Sequence, residues 1–80
     1  MTKAPLRVGL IGTGRISDLH AIEYLQNPDA RIVALCDRDT GQARAKAAAW
    51  GIPAVAIDDD IDAFLARPEV DLVEILLPHH

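Results

Sequence analysis

A short turn near the start of the chain, residues 12–17 (Gly-Thr-Gly-Arg-Ile-Ser), has the composition of a phosphate-binding loop. Gly12 permits a tight turn, and Gly14 lets the backbone approach a pyrophosphate with no Cβ in the way. A helix that begins at such a turn offers free backbone amides to the anion. The third position usually holds glycine or alanine, and Ser17 is a tolerated departure because serine is only slightly larger. The spacing favours dinucleotide binding, with an ordinary strand-to-helix turn as the alternative.

An acidic residue follows at the spacing expected for a contact with the adenosine ribose. Gly14 and Asp37 are 23 residues apart, close to the spacing of about 20 typical of dinucleotide-binding proteins. The Asp37 carboxylate can accept hydrogen bonds from both ribose hydroxyls, and it would repel a 2′-phosphate about 4 Å away by roughly 4 kcal/mol per charge pair. NAD is therefore favoured, while Arg38 leaves NADP open because its guanidinium could reach a 2′-phosphate. A solvated or helix-initiating acid is the alternative for Asp37.

Four apolar strands are predicted to alternate with three helices around these residues. Short runs of branched apolar residues, ended by glycine, aspartate or proline, are typical of buried strands. The helices are expected to begin at the glycine turn, at Asp39 and at the acidic run 58–60, where negative charge favours a helix start. The expected strands cover residues 6–11, 31–36, 53–57 and 70–77.

The helices carry packing and capping signals. Apolar residues recur every three positions along the first helix, which predicts a buried stripe. This stripe comprises Ile16, Leu19, Ile22 and Leu25. In the second helix, Asp39 and Gln42 have the spacing of a capping box. Gly51 is placed to end that helix in a left-handed conformation.

This order of elements predicts an α/β fold. Apolar strands separated by single helices imply a parallel sheet with right-handed crossovers and helices on both faces. We expect a partial Rossmann-type sheet of four strands, βαβαβαβ, in the order 3-2-1-4. Residues 1–5 are expected to form a tail and residues 6–80 a partial dinucleotide-binding domain. The open apolar edge of the fourth strand indicates an N-terminal piece of a longer protein, or completion by another chain.

Composition excludes several classes of function. The 80 residues include 12 acidic and 8 basic side chains, for a net charge of −4, and no basic cluster suggests a nucleic-acid partner. The apolar runs are too short to cross a membrane, which takes about 20 residues, and the first residues do not resemble a secretory signal. A single cysteine, Cys36, fits a reducing, cytoplasmic location and offers no cysteine-based metal cluster. No metal site is expected.

Taken together, the motifs resemble the N-terminal half-domain of the Gfo/Idh/MocA oxidoreductases. The resemblance covers residues 6–80 and is carried by four segments: VGLIGTGRISDLH at 8–20, VALCDRD at 33–39, WGIP at 50–53 and VDLVEILLPH at 70–79. It implies that NAD or NADP is bound and that hydride is transferred at a sugar, polyol or related carbonyl carbon. It also implies a second domain, outside this chain, that supplies the substrate pocket and often the interface of a homo-oligomer.

The resemblance also implies which residues contact the cofactor. The turn from Gly12 would bind the pyrophosphate, and Asp37 with Arg38 would bind the adenosine ribose. Leu77-Pro78 matches a Thr-Pro pair close to the nicotinamide half, although Leu77 lacks the hydroxyl, and His79 follows beside the cofactor unless a solvated loop or a tag begins there. The implied set is Gly12, Thr13, Gly14, Arg15, Ile16, Asp37, Arg38, Leu77, Pro78 and His79.

No catalytic residue is assigned. The family's Glu-Lys-Pro motif, whose lysine acts on the reacting oxygen, would follow a fifth strand beyond this chain. Two other functions share this fold: a non-catalytic nucleotide-sensing module and an S-adenosylmethionine-dependent methyltransferase. The second is disfavoured because methyltransferases tend to carry an acid just before their glycines, where this chain has Leu10 and Ile11.

Overall fold

A computed structural model describes residues 4–76 of the chain. It contains seven elements in the predicted order: β1 Leu6–Ile11, α1 Ser17–Leu25, β2 Ala30–Cys36, α2 Thr40–Ala49, β3 Ala56–Asp58, α3 Ile61–Leu65 and β4 Leu72–Ile75. No helix in this part of the chain is long and apolar enough to cross a membrane.

The four strands form one parallel sheet in the order β3-β2-β1-β4, which confirms the predicted 3-2-1-4 arrangement. The pairing of β1 with β2 shifts register between Val8 and Gly9, so that Val8 lies opposite Ile32 and Gly9 opposite Ala34. Because parallel strands run in one direction, the carboxyl ends of β1, β2 and β3 meet at one edge of the sheet. The glycine turn and Asp37 both follow strands that end there.

Helices cover both faces of the sheet. On one face, Ala21 of α1 and two alanines of α2, Ala43 and Ala47, are buried against strand residues that include Leu10 and Leu35. On the other face, Phe64 of α3 is buried against strand residues Ile11, Ala34 and Cys36. Small residues on α1 and α2 therefore let these helices approach the sheet closely, and one aromatic ring fills the opposite face.

Gly9 makes room for that ring. A Cβ built on Gly9 would lie 2.5 Å from Cζ of Phe64 and 3.1 Å from Cγ1 of Val70. Phe64 is fully buried, so its ring has little freedom to move aside. This role of Gly9 could not be predicted, because a glycine inside an apolar run does not reveal which distant side chain will face it.

The prediction of a buried stripe along α1 is wrong. Its four members are 39–70% exposed, and Leu19 is the most exposed of them. The buried residues of α1 are instead Ser17 and Ala21, with Tyr24 packed against the same core. An α-helix turns 100° per residue, so apolar residues at a strict spacing of three drift by about 60° at each step. Over three steps they pass halfway around the helix and cannot share one buried face.

The capping predictions for α2 hold in part. The Asp39 side chain accepts a hydrogen bond from the backbone N–H of Gln42, at 2.9 Å, and Gly51 adopts a φ of 77° just after the helix. The Gln42 side chain does not complete the capping box: its amide nitrogen donates to the carbonyl of Thr13, at 2.7 Å. A long-range contact thus replaces the local one.

The third and fourth strands begin later than predicted. The backbone N–H of Val55 donates to the carbonyl of Ile52, and the backbone N–H of Val70 donates to the carbonyl of Arg67. These hydrogen bonds form tight turns, so β3 begins at Ala56 and β4 at Leu72. The third helix begins at the acidic run as predicted: Asp60 is its N-cap, whereas Asp58 ends β3.

Polar contacts connect α1 with its neighbours. Asp18 accepts hydrogen bonds from Lys46 at 2.5 Å and from the Trp50 indole at 3.0 Å. These bonds join α1 to α2 and to Trp50, the C-cap of α2. On β4, Glu74 accepts a hydrogen bond from the Tyr24 hydroxyl and lies 3.0 Å from Nδ1 of His20. The Glu74 carboxylate raises the pKa of Tyr24 to about 12, so the phenol remains protonated and donates.

Candidate functional site

The candidate site is a cleft at the carboxyl edge of the sheet. It encloses about 660 Å³ between the loops that follow β1, β2 and β3. Its lining residues are Ile11, Gly12, Cys36, Asp37, Arg38, Asp59, Asp60 and Ile61. In open parallel sheets, ligands bind outside the carboxyl ends of the strands. The position of the cleft therefore agrees with the predicted dinucleotide site.

The glycine turn has the geometry that its sequence predicts. Gly12 adopts a φ of 100°, a left-handed conformation that side-chain-bearing residues rarely adopt, and its N–H donates to the carbonyl of Cys36 at 2.8 Å. Ser17 is buried, and its hydroxyl donates to the carbonyl of Gly14 at 2.6 Å. The departure at the third position thus contributes a hydrogen bond that tightens the turn, which glycine or alanine could not make.

The space around Gly14 is open. A Cβ built at Gly14 would meet no atom of the described residues within 4 Å, so no residue between 4 and 76 fills the space beside Gly14, where a pyrophosphate is expected to approach. Arg15 and Ile16 follow on the exposed surface. Ile16 is the N-cap of α1 and provides no side-chain cap, whereas aspartates cap α2 and α3. The backbone N–H of Ser17 donates to the carbonyl of Gly14 at 3.1 Å, and the amides that follow it in the first turn of α1 suit an external anion.

Asp37 is bound to the glycine turn by two hydrogen bonds. Its Oδ2 accepts from the backbone N–H of Thr13 at 2.8 Å and from the Thr13 hydroxyl at 2.7 Å. Its Oδ1 accepts from the N–H of Asp39 at 2.9 Å. Burial alone would raise the pKa of Asp37, but these hydrogen bonds outweigh it and lower the pKa below 3.8. The carboxylate is therefore ionised at neutral pH.

This arrangement limits what Asp37 can offer a ligand. A carboxylate has about four acceptor sites, and three of them are already used by Thr13 and Asp39. About one remains, on Oδ1. As placed, Asp37 has room for one ribose hydroxyl rather than the two that the sequence analysis expected.

Thr13 lies in the turn but its side chain is fully buried. Thr13 was predicted as a cofactor contact, whereas its hydroxyl and N–H donate to Asp37 and its carbonyl accepts from Gln42. Gln42 is a contact of the site that the sequence did not predict. Its only sequence signal was the capping-box spacing, which pointed to a different partner.

The remaining side chains of the cleft supply charge and shape. Arg38 is exposed, and Asp59 and Asp60, which follow β3, line the same cleft. Cys36 is buried, and its burial together with nearby carboxylates raises the pKa of the thiol. It therefore acts as a small apolar residue rather than a nucleophile. Within residues 4–76, no group of three or more potential metal ligands is found.

The structure brings together the predicted residues of the glycine turn after β1 and those that follow β2. Thr13 contacts Asp37 through the hydrogen bonds above, Gly12 and Gly14 flank Thr13 in the same turn, and Arg38 lines the same cleft. Three further predicted residues, Leu77, Pro78 and His79, lie outside the described residues.

Sequence comparison identifies relatives of this chain. Over residues 6–80 it matches the profile of the family GFO_IDH_MocA, described as an oxidoreductase family with an NAD-binding Rossmann fold. It is 39% identical over 80 residues to D-glucoside 3-dehydrogenase of Escherichia coli (strain K12), covering 99% of this chain and 22% of that protein. It is 40% identical over 73 residues to inositol 2-dehydrogenase of Rhizobium meliloti (strain 1021), and that match covers 91% of this chain and 21% of that protein. The chain thus spans about a fifth of the length of these relatives.

Solved structures share the fold. The structure of myo-inositol dehydrogenase from Lactobacillus casei, in complex with NAD(H) and myo-inositol, aligns with a TM-score of 0.79 and 30% identity. That alignment covers 90% of this chain and 21% of the other. Because the profile match runs through all seven elements of the fold, the chain belongs to the Gfo/Idh/MocA oxidoreductase family.

Proposed function

We propose that this chain is the NAD-binding part of an oxidoreductase that transfers hydride between a nicotinamide cofactor and a sugar, polyol or related carbonyl compound. The observation that carries the proposal is the direct link between Asp37 and the glycine turn, beside the open backbone at Gly14. This link supports the proposal because it would hold a ribose-binding acid and a phosphate-binding turn at one cleft. An ordinary structural turn requires neither the open space nor the ionised acid.

The described residues have separate parts in binding. The open turn at Gly14 and the uncapped start of α1 would receive the pyrophosphate, and Asp37 would accept a hydrogen bond from an adenosine ribose hydroxyl. The exposed side chains of Arg15 and Ile16 would border the pyrophosphate. We assign Leu77, Pro78 and His79 to the nicotinamide half on the strength of the family resemblance alone.

We further propose NAD as the preferred cofactor. Asp37 is ionised and shares its cleft with Asp59 and Asp60, so a 2′-phosphate would enter a region of like charge. The relative from Lactobacillus casei was solved with NAD(H). Arg38 is the one described cation of the cleft lining and is the residue through which NADP would be accommodated.

Substrate, assembly and location belong to the whole protein. The named relatives act on glucosides and inositol, and from them we propose a polyhydroxylated substrate, bound by a second domain that also forms a homo-oligomer interface. The bound nicotinamide would accept or donate the hydride, and the acid or base for the reacting oxygen would come from outside these 80 residues. We propose a cytoplasmic location because the single cysteine is buried as a thiol.

The first test is a titration of the folded chain with NADH and NADPH, followed by nicotinamide fluorescence. Circular dichroism first establishes that the chain is folded, and S-adenosylmethionine serves as the competitor. We expect saturable NADH binding that the competitor leaves unchanged. A folded chain that binds neither dinucleotide would contradict the proposal, and displacement by S-adenosylmethionine would favour a methyltransferase.

A second test separates an oxidoreductase from a nucleotide sensor. The protein that carries this chain is incubated with NAD and either myo-inositol or a glucoside, and formation of reduced nicotinamide is followed. Turnover with a polyol supports the proposed reaction. Tight NAD binding without turnover on any polyol, sugar or related carbonyl compound would favour the sensing function.

A further inference from the structure

Thr13 occupies an unexpected position for a residue in the middle of a phosphate-binding turn. Its neighbours Gly14 and Arg15 are accessible, but its own side chain is fully buried. The hydroxyl lies 2.7 Å from Oδ2 of Asp37. A ligand in the cleft therefore meets the backbone of the turn and the Asp37 carboxylate, and not the Thr13 side chain.

All three polar groups of Thr13 connect the turn to the segment that follows β2. Its N–H and hydroxyl donate to Asp37, and its carbonyl accepts from the Gln42 side chain at 2.7 Å. The backbone of Asp37 is also fixed, because its N–H donates to the carbonyl of Asp58, the last residue of β3, at 3.0 Å. The ribose-binding acid is thus fixed between the first turn and the end of β3.

The chemistry of this contact bears on cofactor choice. An ionised carboxylate has no hydrogen to donate, so the Thr13 hydroxyl must be the donor. With Oδ2 taken twice, the remaining acceptor site on Oδ1 requires a donor from the ligand. A ribose hydroxyl is such a donor, whereas a 2′-phosphate at neutral pH carries a charge of about −1.5 to −2 and mainly accepts hydrogen bonds.

We propose that Thr13 is a positioning residue for cofactor specificity: its hydroxyl holds the Asp37 carboxylate so that one oxygen selects the free ribose hydroxyl of NAD over the 2′-phosphate of NADP. This inference rests on the proposed function and extends it to a residue whose side chain does not touch the cofactor. Gln42 supports the same contact by holding the Thr13 carbonyl.

The test compares Thr13→Val with Thr13→Ser. Valine keeps the size of threonine but lacks the hydroxyl, whereas serine keeps the hydroxyl and lacks only the methyl group. Dissociation constants for NADH and NADPH are measured by fluorescence titration. We expect valine to lower the preference for NADH by about tenfold, the effect of losing one charge-assisted hydrogen bond, and serine to keep it within about twofold of the wild type. If valine prevents folding, Thr13→Ala removes the hydroxyl without adding a methyl group in its place.

Two controls test whether Thr13 changes the cofactor preference through Asp37. In an Asp37→Ser background, Thr13→Val should change the preference by less than about twofold, because a positioning residue has no effect once its target is absent. Tyr24→Phe removes another hydroxyl that donates to a carboxylate, that of Glu74, at a distance from the cleft. It should leave the preference unchanged.

A second readout does not depend on the cofactor. The pKa of Asp37 is measured by carbon NMR of its carboxyl group in each variant. Because the Thr13 hydroxyl stabilises the ionised form, the pKa should rise in Thr13→Val and stay near the wild-type value in Thr13→Ser. An unchanged pKa in the valine variant would overturn the contact on which the proposal depends.

The outcomes distinguish this inference from the function beneath it. If the folded wild type binds neither dinucleotide, the proposed function fails and the specificity role fails with it. If the wild type prefers NADH and Thr13→Val keeps that preference, the function stands and the role of Thr13 is overturned.

Discussion

Asp37 combines burial, charge and hydrogen bonding at one position. Three donors from Thr13 and Asp39 hold its two oxygens, and their combined effect outweighs burial and lowers its pKa. The carboxylate is thus charged before any ligand arrives. Its influence on cofactor choice is therefore testable by removing that charge.

Replacement of Asp37 by serine should reduce the preference for NADH over NADPH by about tenfold or more. The repulsion of a 2′-phosphate disappears together with the hydrogen bond to the ribose. Fluorescence titration measures both affinities, and circular dichroism verifies the fold because Thr13 loses its acceptor.

Asp59→Ser is the matched control for this change. Asp59 is exposed and lines the same cleft, so the variant removes an equal charge. We expect a smaller change in the preference than for Asp37→Ser. Equal effects would show that the general charge of the cleft, and not Asp37, selects the cofactor.

Alanine at Gly9 should lower the stability of the fold, whereas alanine at Gly14 should lower the affinity for NADH. Gly9→Ala would place a Cβ 2.5 Å from the buried Phe64 ring and should cost about 1–3 kcal/mol of stability through overpacking. Gly14→Ala meets open space, so it should keep its stability but lose about tenfold in NADH affinity where the pyrophosphate approaches. Urea unfolding and NADH titration of both variants check the pair, and a loss of stability at Gly14 as large as at Gly9 would contradict it.

At the scale of elements, α1 contacts the sheet through its small residues. Ala21 is fully buried while Leu19 is 70% exposed. The helix also reaches α2 through Asp18 and β4 through Tyr24. In the described structure its orientation therefore depends on close approach and polar contacts rather than on its larger apolar side chains.

This packing predicts the effect of changes along α1. Leu19→Gln should change the free energy of unfolding by no more than about 0.5 kcal/mol, as is usual for surface positions. Ala21→Leu should cost about 1–3 kcal/mol because the added atoms enter a filled core. Urea unfolding of the two variants measures the contrast. A large loss in Leu19→Gln would indicate that Leu19 is covered in solution.

At the scale of the whole molecule, ion pairs connect the loop before β4 to β1 and β3. Arg7 of β1 makes two side-chain hydrogen bonds to Asp71, at 3.0 Å each, just before β4. Arg67 binds Asp58 at 2.5 and 3.0 Å, which joins the end of β3 to the loop before β4. Each cation lowers the pKa of its partner carboxylate below 3.8.

These pairs predict how stability depends on pH. A carboxylate whose pKa is lowered by folding contributes stability above its unfolded value, here 3.8. That contribution is lost as the pH falls through the lower pKa of the folded state. The urea midpoint should therefore fall as the pH is lowered below about 4.

Asp71→Asn provides the comparison. This variant should have a lower urea midpoint than the wild type at neutral pH. Its midpoint should then fall less than that of the wild type as the pH is lowered, because one titrating carboxylate is gone. A wild-type midpoint that stays constant down to about pH 2 would contradict the role given to these pairs.

The architecture could be predicted from local patterns in the sequence, and so could the edge of the sheet at which the candidate site lies. Short apolar runs define four strands, and the right-handed crossover rule leaves few ways to connect them. Gly12, Gly14 and Asp37 could be predicted because each follows the end of a strand, and parallel strands bring those ends to one edge. Such features depend on local patterns, which a single sequence contains.

Which side chains meet across the fold depends on the three-dimensional packing and could not be predicted from the sequence. The buried face of α1, the space that Gly9 leaves for Phe64 and the link from Thr13 to Asp37 and Gln42 all join residues far apart in sequence. Their partners depend on strand register, including the shift after Val8, and on how closely each helix approaches the sheet. Local periodicity does not contain that information, because the same residues present different neighbours when the register changes by one position.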